Sequence, residues 1–269
     1  MHRFSWRLAA ASSMVAVSAC RPEFQLKNLT SNDALYTASL NEFQHKRWDN
    51  AISGFEKLTT DLSARDSLLP RSYWYLAAAH EHVGEHLLAA QSYNRLLESF
   101  PEDSLADDAA LEAAKAYRRL WRKPQLDPMY GETAISAYNT LIGLYPNSPL
   151  VATAQKEIAE LENWFAIKDY EAGKYYFGRK CFDCGIVYFK EVLNKYPNAP
   201  TAREAGLRLV EGYKAIKYRD DATEMCAQLR QRYPEDRDVA RECAGFSTVA
   251  ATTKPDTTSP QQAARPPNP

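Results

Sequence analysis

Two cysteines in the stretch CFDC, Cys181 and Cys184, have the spacing best suited to chemistry in this sequence. Thiol–disulfide oxidoreductases place such a C-x-x-C pair at the start of a helix that follows a β-strand, where the helix dipole lowers the pKa of the first thiol. No alternation of strands and helices surrounds this pair, so the sequence argues against redox catalysis. A packed pair of small residues and a structural disulfide, which an oxidising compartment favours, both stay open.

Three histidines, His80, His82 and His86, form a second candidate, a zinc site. The three positions, i, i+2 and i+6, do not share one helical face, so the sequence argues against a zinc site that uses all three rings. We therefore expect solvated or groove-lining histidines. The chain also lacks the glycine-rich phosphate-binding, nucleophile-elbow and metalloprotease motifs, so we expect a non-enzymatic protein without a cofactor or metal.

Cys20, the third candidate, ends a short apolar run over 8–19 that follows Arg3 and Arg7. The run is shorter than the roughly 20 apolar residues that span a bilayer, and a basic start with small residues at the exit is typical of an export signal. The stretch VSAC at 17–20 also resembles the lipobox of bacterial lipoproteins. A plain secretory signal that happens to end at a cysteine is the alternative.

The lipobox resemblance implies a lipid anchor on Cys20 as the first residue of the mature protein. In that family a diacylglycerol is thioether-linked to the cysteine, and the new amine is acylated, for example with palmitate. Each buried methylene contributes about 0.8 kcal/mol, so several chains together give stable anchoring. Arg21 stands where an aspartate would hold an enterobacterial lipoprotein at the inner membrane, so the resemblance favours the periplasmic face of the outer membrane.

Composition indicates the class of protein. The 269 residues include 33 basic and 34 acidic side chains, so the net charge gives no reason to expect binding to nucleic acid or to an anionic surface. Few glycines, abundant Ala, Leu, Glu and Tyr, and the lack of alternating apolar stretches predict an all-α chain. The Thr-, Pro- and Gln-rich end, 246–269, has no hydrophobic period and is predicted to be a disordered tail.

Five related stretches recur in the rest of the chain, each with a small residue followed four positions later by a larger residue that is apolar in character. Eight residues after the larger one stands a proline in four stretches and a serine in the first. Proline has no amide proton to donate and ends helices, so each stretch predicts the second helix of a helix pair. The stretches are AISGF at 51–55, AAQSY at 89–93, AISAY at 134–138, GIVYF at 185–189 and ATEMC at 222–226.

This spacing of a small residue, a larger residue and a proline resembles the tetratricopeptide repeat, a pair of antiparallel helices. We predict an all-α helical-repeat solenoid of five tetratricopeptide-like helix pairs with a short cap helix over 238–244. The first helix of the fourth pair is elongated, because 150–178 contains no proline and keeps a helical apolar spacing. An exposed loop is inserted at 121–131. The predicted pairs are 32–46 with 49–62, 71–83 with 86–100, 104–121 with 131–145, 149–178 with 181–196, and 200–217 with 220–233.

The lipobox, the repeat phase, the elongated helix ending in AGKYYFGRKCFDCGIVYFKEVLNKYPNAPTAREA (172–205) and the stretch YPNSPLVATA (145–154) together resemble BamD-type lipoproteins of the outer-membrane β-barrel assembly machinery. The resemblance covers nearly everything from Cys20 to Ala244. It implies a scaffold whose C-terminal repeats dock on periplasmic domains of the barrel-forming subunit, with accessory lipoproteins as further partners. Its N-terminal repeats would receive unfolded outer-membrane protein precursors.

The predicted organisation follows from these segments. It comprises a signal peptide over 1–19, a tether over 20–31, N-terminal repeats one to three over 32–146, C-terminal repeats four and five with the cap helix over 147–245, and the tail over 246–269.

The resemblance also implies two sets of binding residues. BamD-type proteins commonly carry an Asn–Arg pair toward the main partner in the second helix of the fourth repeat. Val187 and Tyr188 stand there in this chain, and we expect Tyr188 to contact the partner together with the flanking Arg179 and Lys190.

The groove-facing positions of the repeat family give a peptide-binding groove, in which rings supply affinity and charges set the register of an extended peptide. Packing of the rings between helices and a solvated charged face are the alternatives. The positions are Tyr36, Phe43, Arg71, Trp74, Glu81, Asp108, Glu112 and Lys115.

Two other functions stay open, a repeat lipoprotein that coordinates cell-envelope or division processes and a periplasmic thiol oxidoreductase that uses Cys181. Cys226 and Cys243 lie in neighbouring predicted helices and are candidates for a disulfide that would staple the end of the repeats. The sequence does not fix the pairing of the four cysteines after Cys20.

Overall fold

The computed structural model describes residues 24–246, which form α-helices and one short 3-10 helix without a β-strand. The predicted all-α, helical-repeat fold is confirmed for this range. Cys20, the predicted signal peptide and the tail after Phe246 lie outside it. By compactness the chain divides into unit 1, up to Glu85, and unit 2, from His86, so the predicted boundary at 146/147 lies inside unit 2.

The helix ends agree with the repeat pattern to within one or two residues, as at α3, which begins at Leu69 rather than at Arg71. The 3-10 helix is Leu26–Asn28, and the α-helices are α1 (Asn32–Gln44), α2 (Trp48–Asp61), α3 (Leu69–Val83), α4 (His86–Ser99), α5 (Ala106–Leu120), α6 (Met129–Leu144), α7 (Val151–Gly178), α8 (Phe182–Lys195), α9 (Pro200–Ala215), α10 (Arg219–Arg232) and α11 (Arg237–Glu242).

Unit 1 contains α1, α2 and α3, and α3 contacts both of the other helices. The backbones of α1 and α2 approach closely at two small residues, since a Cβ built on Gly54 would lie 2.0 Å from Ser39 Oγ. Ser39 is buried, and its hydroxyl donates a hydrogen bond of 2.7 Å to the carbonyl oxygen of Leu35 in its own helix. The close approach therefore leaves no unpaired hydroxyl at this contact.

In unit 2 each helix from α4 to α10 packs against the next, α7 also contacts α9, and α9 contacts α11. Contacts between every second helix are those expected of stacked helix pairs. The larger residue of each repeated stretch in this unit is buried, namely Tyr93, Tyr138, Phe189 and Cys226. The second helices end at Ser99, Leu144, Lys195 and Arg232, just before the prolines that predicted their ends.

The elongated α7 packs against different neighbours along its length. Arg118 of α5 donates hydrogen bonds to Glu157 and, at 2.7 Å, to Glu160, both in the N-terminal half of α7. Trp121, at the start of the inserted loop, is buried and lies 4.6 Å from Phe165 of α7 between ring centres. The C-terminal half of α7 packs against α8.

Two devices hold the short α11 in place. Cys226 of α10 forms a disulfide with Cys243, which directly follows α11. Asp236 is the N-cap of α11, accepts hydrogen bonds from the amides of Asp238 and Val239, and is bound by the Arg203 guanidinium of α9. These contacts hold the pKa of Asp236 well below its usual range.

Four turns inside the predicted helix pairs share one backbone device, a residue in the left-handed region. The residues are Lys46, Gly84, Lys180 and Lys217, with φ between 59° and 82°. After each of them the next amide donates a hydrogen bond to the carbonyl oxygen five residues earlier, for example from Arg47 to Glu42 at 2.9 Å. This is the Schellman pattern, which favours glycine because the other residue types are strained there.

The strained turn at Lys46 yields a stability prediction. We expect Lys46→Gly to raise the free energy of unfolding by about 0.5–1 kcal/mol, because glycine adopts a positive φ without a Cβ clash. Lys57→Gly, in the middle of α2, is the matched control and should lower it by about 1 kcal/mol. Urea unfolding of both variants checks this, and a loss of stability in Lys46→Gly would contradict it.

The ring of Phe177, near the end of α7, occupies a slot lined by two glycines. A Cβ on Gly185 of α8 would lie 2.3 Å from this ring and 2.8 Å from the carbonyl oxygen of Gly173, and a Cβ on Gly212 of α9 would lie 2.7 Å from the ring. The close packing of α7, α8 and α9 therefore depends on the absence of side chains at these positions.

The slot predicts that an alanine at Gly185 lowers stability, whereas an alanine at Gly178, which lies outside the slot, does not. Gly185→Ala should lower the free energy of unfolding by about 1–3 kcal/mol, because a ring and a backbone oxygen must both move. Gly178→Ala, at the end of α7, meets nothing within 4 Å and should be neutral or stabilising by up to about 1 kcal/mol. Equal effects of the two substitutions in thermal or urea unfolding would refute the packing argument.

Candidate functional site

The end of α7 and the first half of α8 carry three tyrosines, an arginine and a valine that are exposed or half-buried, and we call this set the α7–α8 surface: Tyr175, Tyr176, Arg179, Val187 and Tyr188. Tyr175 is 56% exposed and Val187 is 58% exposed, so both leave apolar area open to solvent. The turn that positions them is fixed by the amide of Cys181, which donates a hydrogen bond of 3.1 Å to the carbonyl oxygen of Tyr176.

Two ring contacts organise this surface. The Arg179 guanidinium lies over the ring of Tyr175, 4.6 Å from its centre. The rings of Tyr176 and Tyr188 stack with their centres 5.4 Å apart and 13° between their planes. A hydrogen bond with Tyr176 raises the pKa of Tyr188, so this hydroxyl stays neutral. Rings with a cation beside them suit a partner that presents apolar and acidic groups.

Lys190 lies elsewhere on α8 than Arg179 and Tyr188. Its ammonium group is 5.6 Å from the ring centre of Tyr213 in α9, and it lines a cavity of about 400 Å³ together with Asp221 and Glu224 of α10. A hydrogen bond with Tyr213, helped by the two carboxylates, raises the pKa of Lys190. Of the three predicted docking residues, the structure therefore brings two to the α7 side of α8 and one to the α9 and α10 side.

In unit 1 the predicted groove residues Tyr36 and Phe43 belong to an aromatic cluster between the helices. Tyr36 lies 5.9 Å from Phe55, and Phe43 lies 5.1 Å from Tyr75 and 5.2 Å from Trp48, measured between ring centres. Burial raises the pKa of the Tyr36 hydroxyl. Both side chains are half-buried, so they pack between helices while keeping an outer edge in solvent.

The other three groove positions of unit 1 lie along α3. Arg71 is exposed, whereas Trp74 and Glu81 are half-buried.

The predicted positions in unit 2 lie on α5 and carry charges of both signs. Lys115 donates a hydrogen bond of 2.7 Å to Glu112, its neighbour one turn away. Burial, with Asp107 and Glu112 nearby, raises the pKa of Asp108. This is a mixed, partly solvated face, on which Asp108 is the most exposed of the three.

The expectation of solvated or groove-lining histidines is wrong for His80. This ring is only 4% exposed, and its Nδ1 lies 2.7 Å from a carboxylate oxygen of Glu85. His82 is exposed and stacks on Trp48 with ring centres 4.0 Å apart. No sequence pattern indicated the Glu85 contact, because that contact depends on the turn after α3.

A cavity of about 880 Å³ lies beside α1, and no sequence pattern predicted it. Residues 24–31, predicted as part of a tether, form one wall of it with Phe24 and Leu29, and α1 forms the other with Ala34, Ala38 and Asn41. Phe24 also packs near Gly54 of α2. The only signal in the sequence was an aromatic residue within a polar stretch.

Neither metal chemistry nor a membrane span is found among residues 24–246. No group of three His, Cys, Asp or Glu side chains there lies close enough to hold a metal ion. No helix of this part of the chain is both long enough and apolar enough to cross a bilayer.

The packing of Phe43 predicts that this ring stabilises the fold of unit 1, besides any contact with a bound peptide. Phe43→Ala should lower the free energy of unfolding by about 2 kcal/mol or more, because the ring fills space against Trp48 and Tyr75. The exposed neighbour Gln44→Ala should change it by less than about 0.5 kcal/mol. If Phe43→Ala leaves thermal unfolding unchanged, the ring is not part of the packing.

Comparisons with known proteins agree with these features. The family model described as YfiO, an outer membrane lipoprotein, matches residues 29–229. The outer membrane protein assembly factor BamD of Caulobacter vibrioides is 23% identical over 238 residues, which is 86% of this chain and 76% of that protein. The BamD protein of Vibrio cholerae is 30% identical over 108 residues, 40% of this chain and 44% of that protein.

Among solved structures, a TPR repeats protein from Bacteroides fragilis covers 79% of this chain and 96% of its own, with 12% identity and a TM-score of 0.46. The repeat assignment rests on the helix pairs described above and not on this likeness. The match to the family model spans most of the chain, from the residues before α1 into α10, and the chain therefore belongs to the YfiO family of outer membrane lipoproteins.

Proposed function

We propose that this protein is a non-enzymatic, lipid-anchored scaffold for the assembly of outer-membrane proteins, at the periplasmic face of the outer membrane. The family match over residues 29–229 is the observation that carries the proposal, and the relatives named as outer membrane protein assembly factors support it. The stretch VSAC before residue 21 supports export and lipidation at Cys20.

The main partner in this proposal is the barrel-assembly subunit, bound through its periplasmic domains, with accessory lipoproteins as further partners. The α7–α8 surface is our candidate for its docking site. Exposed Tyr175 and Val187 offer apolar area, and Arg179 offers a cation that is held by a ring instead of by a carboxylate. Aromatic rings and arginine are the side chains most enriched at protein interfaces, and a complementary partner surface would carry an acid opposite Arg179.

Unfolded outer-membrane precursors are the proposed cargo of the N-terminal repeats. Arg71 in unit 1 has polar groups in reach of solvent, as do Asp108, Glu112 and Lys115 in unit 2, and each set would contact the part of an extended chain bound to its own unit. Tyr36 and Phe43 would support such a groove mainly from within, since their rings pack against neighbouring helices.

An affinity purification tests the proposal. The tagged lipoprotein is extracted from membranes in detergent, and co-purifying proteins are identified by mass spectrometry. We expect an outer-membrane barrel with periplasmic repeat domains to co-purify, and Arg179→Glu to reduce its recovery about tenfold or more, because a reversed charge at a docking contact costs at least the 1.4 kcal/mol that corresponds to a factor of ten.

Lys156→Glu is the matched control, a charge reversal in α7, the helix that Arg179 directly follows, at a side chain that is 77% exposed, and it should leave recovery unchanged. Lys190→Glu should have a smaller effect than Arg179→Glu, because Lys190 contacts Tyr213 of its own chain. Recovery of cell-wall or division proteins without such a barrel would overturn the assembly function and favour a scaffold of envelope processes.

A further inference from the structure

Cys181 and Cys184 form a disulfide at the start of α8, which the proposed function does not use. Cys181 is the N-cap of this 14-residue helix, and Cys184 lies in its first turn. Both side chains are partly exposed. The disulfide between Cys226 and Cys243 differs, because both of its residues are 0% exposed.

The surroundings of Cys181 favour a thiolate over a thiol. No side chain caps the first amides of α8 in the structure as described, so a sulfur at the N-cap position can accept their hydrogen bonds. Arg179 and Lys180 place two cations immediately before it, against one acid, Asp183, after it. A helix N-terminus and nearby cations lower a thiol pKa, and a cysteine with a low pKa leaves readily when its disulfide is attacked.

We propose that the Cys181–Cys184 disulfide is a thiol–disulfide exchange site that accepts two electrons from a dithiol. A thiolate of the dithiol attacks one sulfur of the pair, the S–S bond breaks, and the other cysteine leaves as a thiolate. The second thiolate of the dithiol then attacks the mixed disulfide and releases the remaining cysteine. The dithiol ends as a disulfide, and its two protons are carried by the two cysteines when these are protonated.

The turn and helix around this disulfide have supports besides the S–S bond. The turn is held by backbone hydrogen bonds, including Lys180 to the Phe177 carbonyl at 2.9 Å. Phe182, between the two cysteines, packs on Phe177 with ring centres 5.2 Å apart. A disulfide that closes so short a loop also constrains the unfolded chain less than one that closes a longer loop, such as Cys226–Cys243 with its separation of 17 residues. Reduction at Cys181–Cys184 is therefore a local event.

The first test uses dithiothreitol on the detergent-solubilised mature protein. Samples are quenched with an alkylating agent at intervals, and each cysteine peptide is quantified by mass spectrometry, which also keeps Cys20 separate. We expect the Cys181–Cys184 pair to open at least about 100-fold faster than Cys226–Cys243, because access controls exchange. Equal rates for both disulfides would overturn the proposal, since reduction would then be limited by unfolding.

The second test measures thiol pKa values in two single variants. In Cys184→Ser the rate of alkylation of Cys181 is followed against pH, and Cys181→Ser gives the matched measurement for Cys184. We expect the pKa of Cys181 to lie below about 7.5, under the ordinary value of about 8.5 for cysteine. A Cys181 pKa at or above the ordinary value would overturn the proposed exchange site. Neither test involves a partner protein, so the results are independent of the assembly function.

Discussion

The close approach of paired helices at residues with little or no side chain is the constraint on which the rest of this structure depends. Ser39 against Gly54 joins α1 to α2, and Gly185 with Gly212 admits the ring of Phe177 between α8 and α9. Of these residues, Gly185 opens a repeated stretch and Gly54 lies inside one, whereas Ser39 and Gly212 lie in the first helices of their pairs. Protein interiors are packed as densely as crystals of small organic molecules, so such contacts determine the distance between the two helices.

The same packing determines which rings stay available for binding. On α8 the inward positions are filled by Gly185, Ile186 and Phe189, which are buried. Val187 therefore points outward, and Tyr188 lies at the edge of the helix, where it meets Tyr176. Core packing on one side of α8 thus decides which side chains form the α7–α8 surface. An exposed residue such as Val187 can be exchanged without changing the buried contacts. A family with a common fold can vary the side chains it presents to partners in this way.

Unit 2 contains one buried and one partly exposed disulfide. The buried Cys226–Cys243 disulfide joins α10 to the end of the six-residue α11, which is also held by the Arg203 network and by the burial of Val239. The Cys181–Cys184 disulfide spans one helical turn and leaves the packing of α8 unaffected. The buried bond therefore adds a covalent link to an element that is also held by packing and ion pairs, whereas the partly exposed bond is the one we propose to exchange.

Local chemistry in the sequence determined the helices, because proline, small residues and apolar spacing act through the backbone and through neighbours a few positions away. The length of α7 and the ends of the second helices followed from these signals. The rotation of each helix against its neighbours was decided only by tertiary packing. That rotation buried His80 beside Glu85, turned Tyr36 and Phe43 between helices, and separated Lys190 from Arg179. Repeat-family positions predict which helix carries a residue, whereas contacts between distant segments decide which side of that helix it occupies.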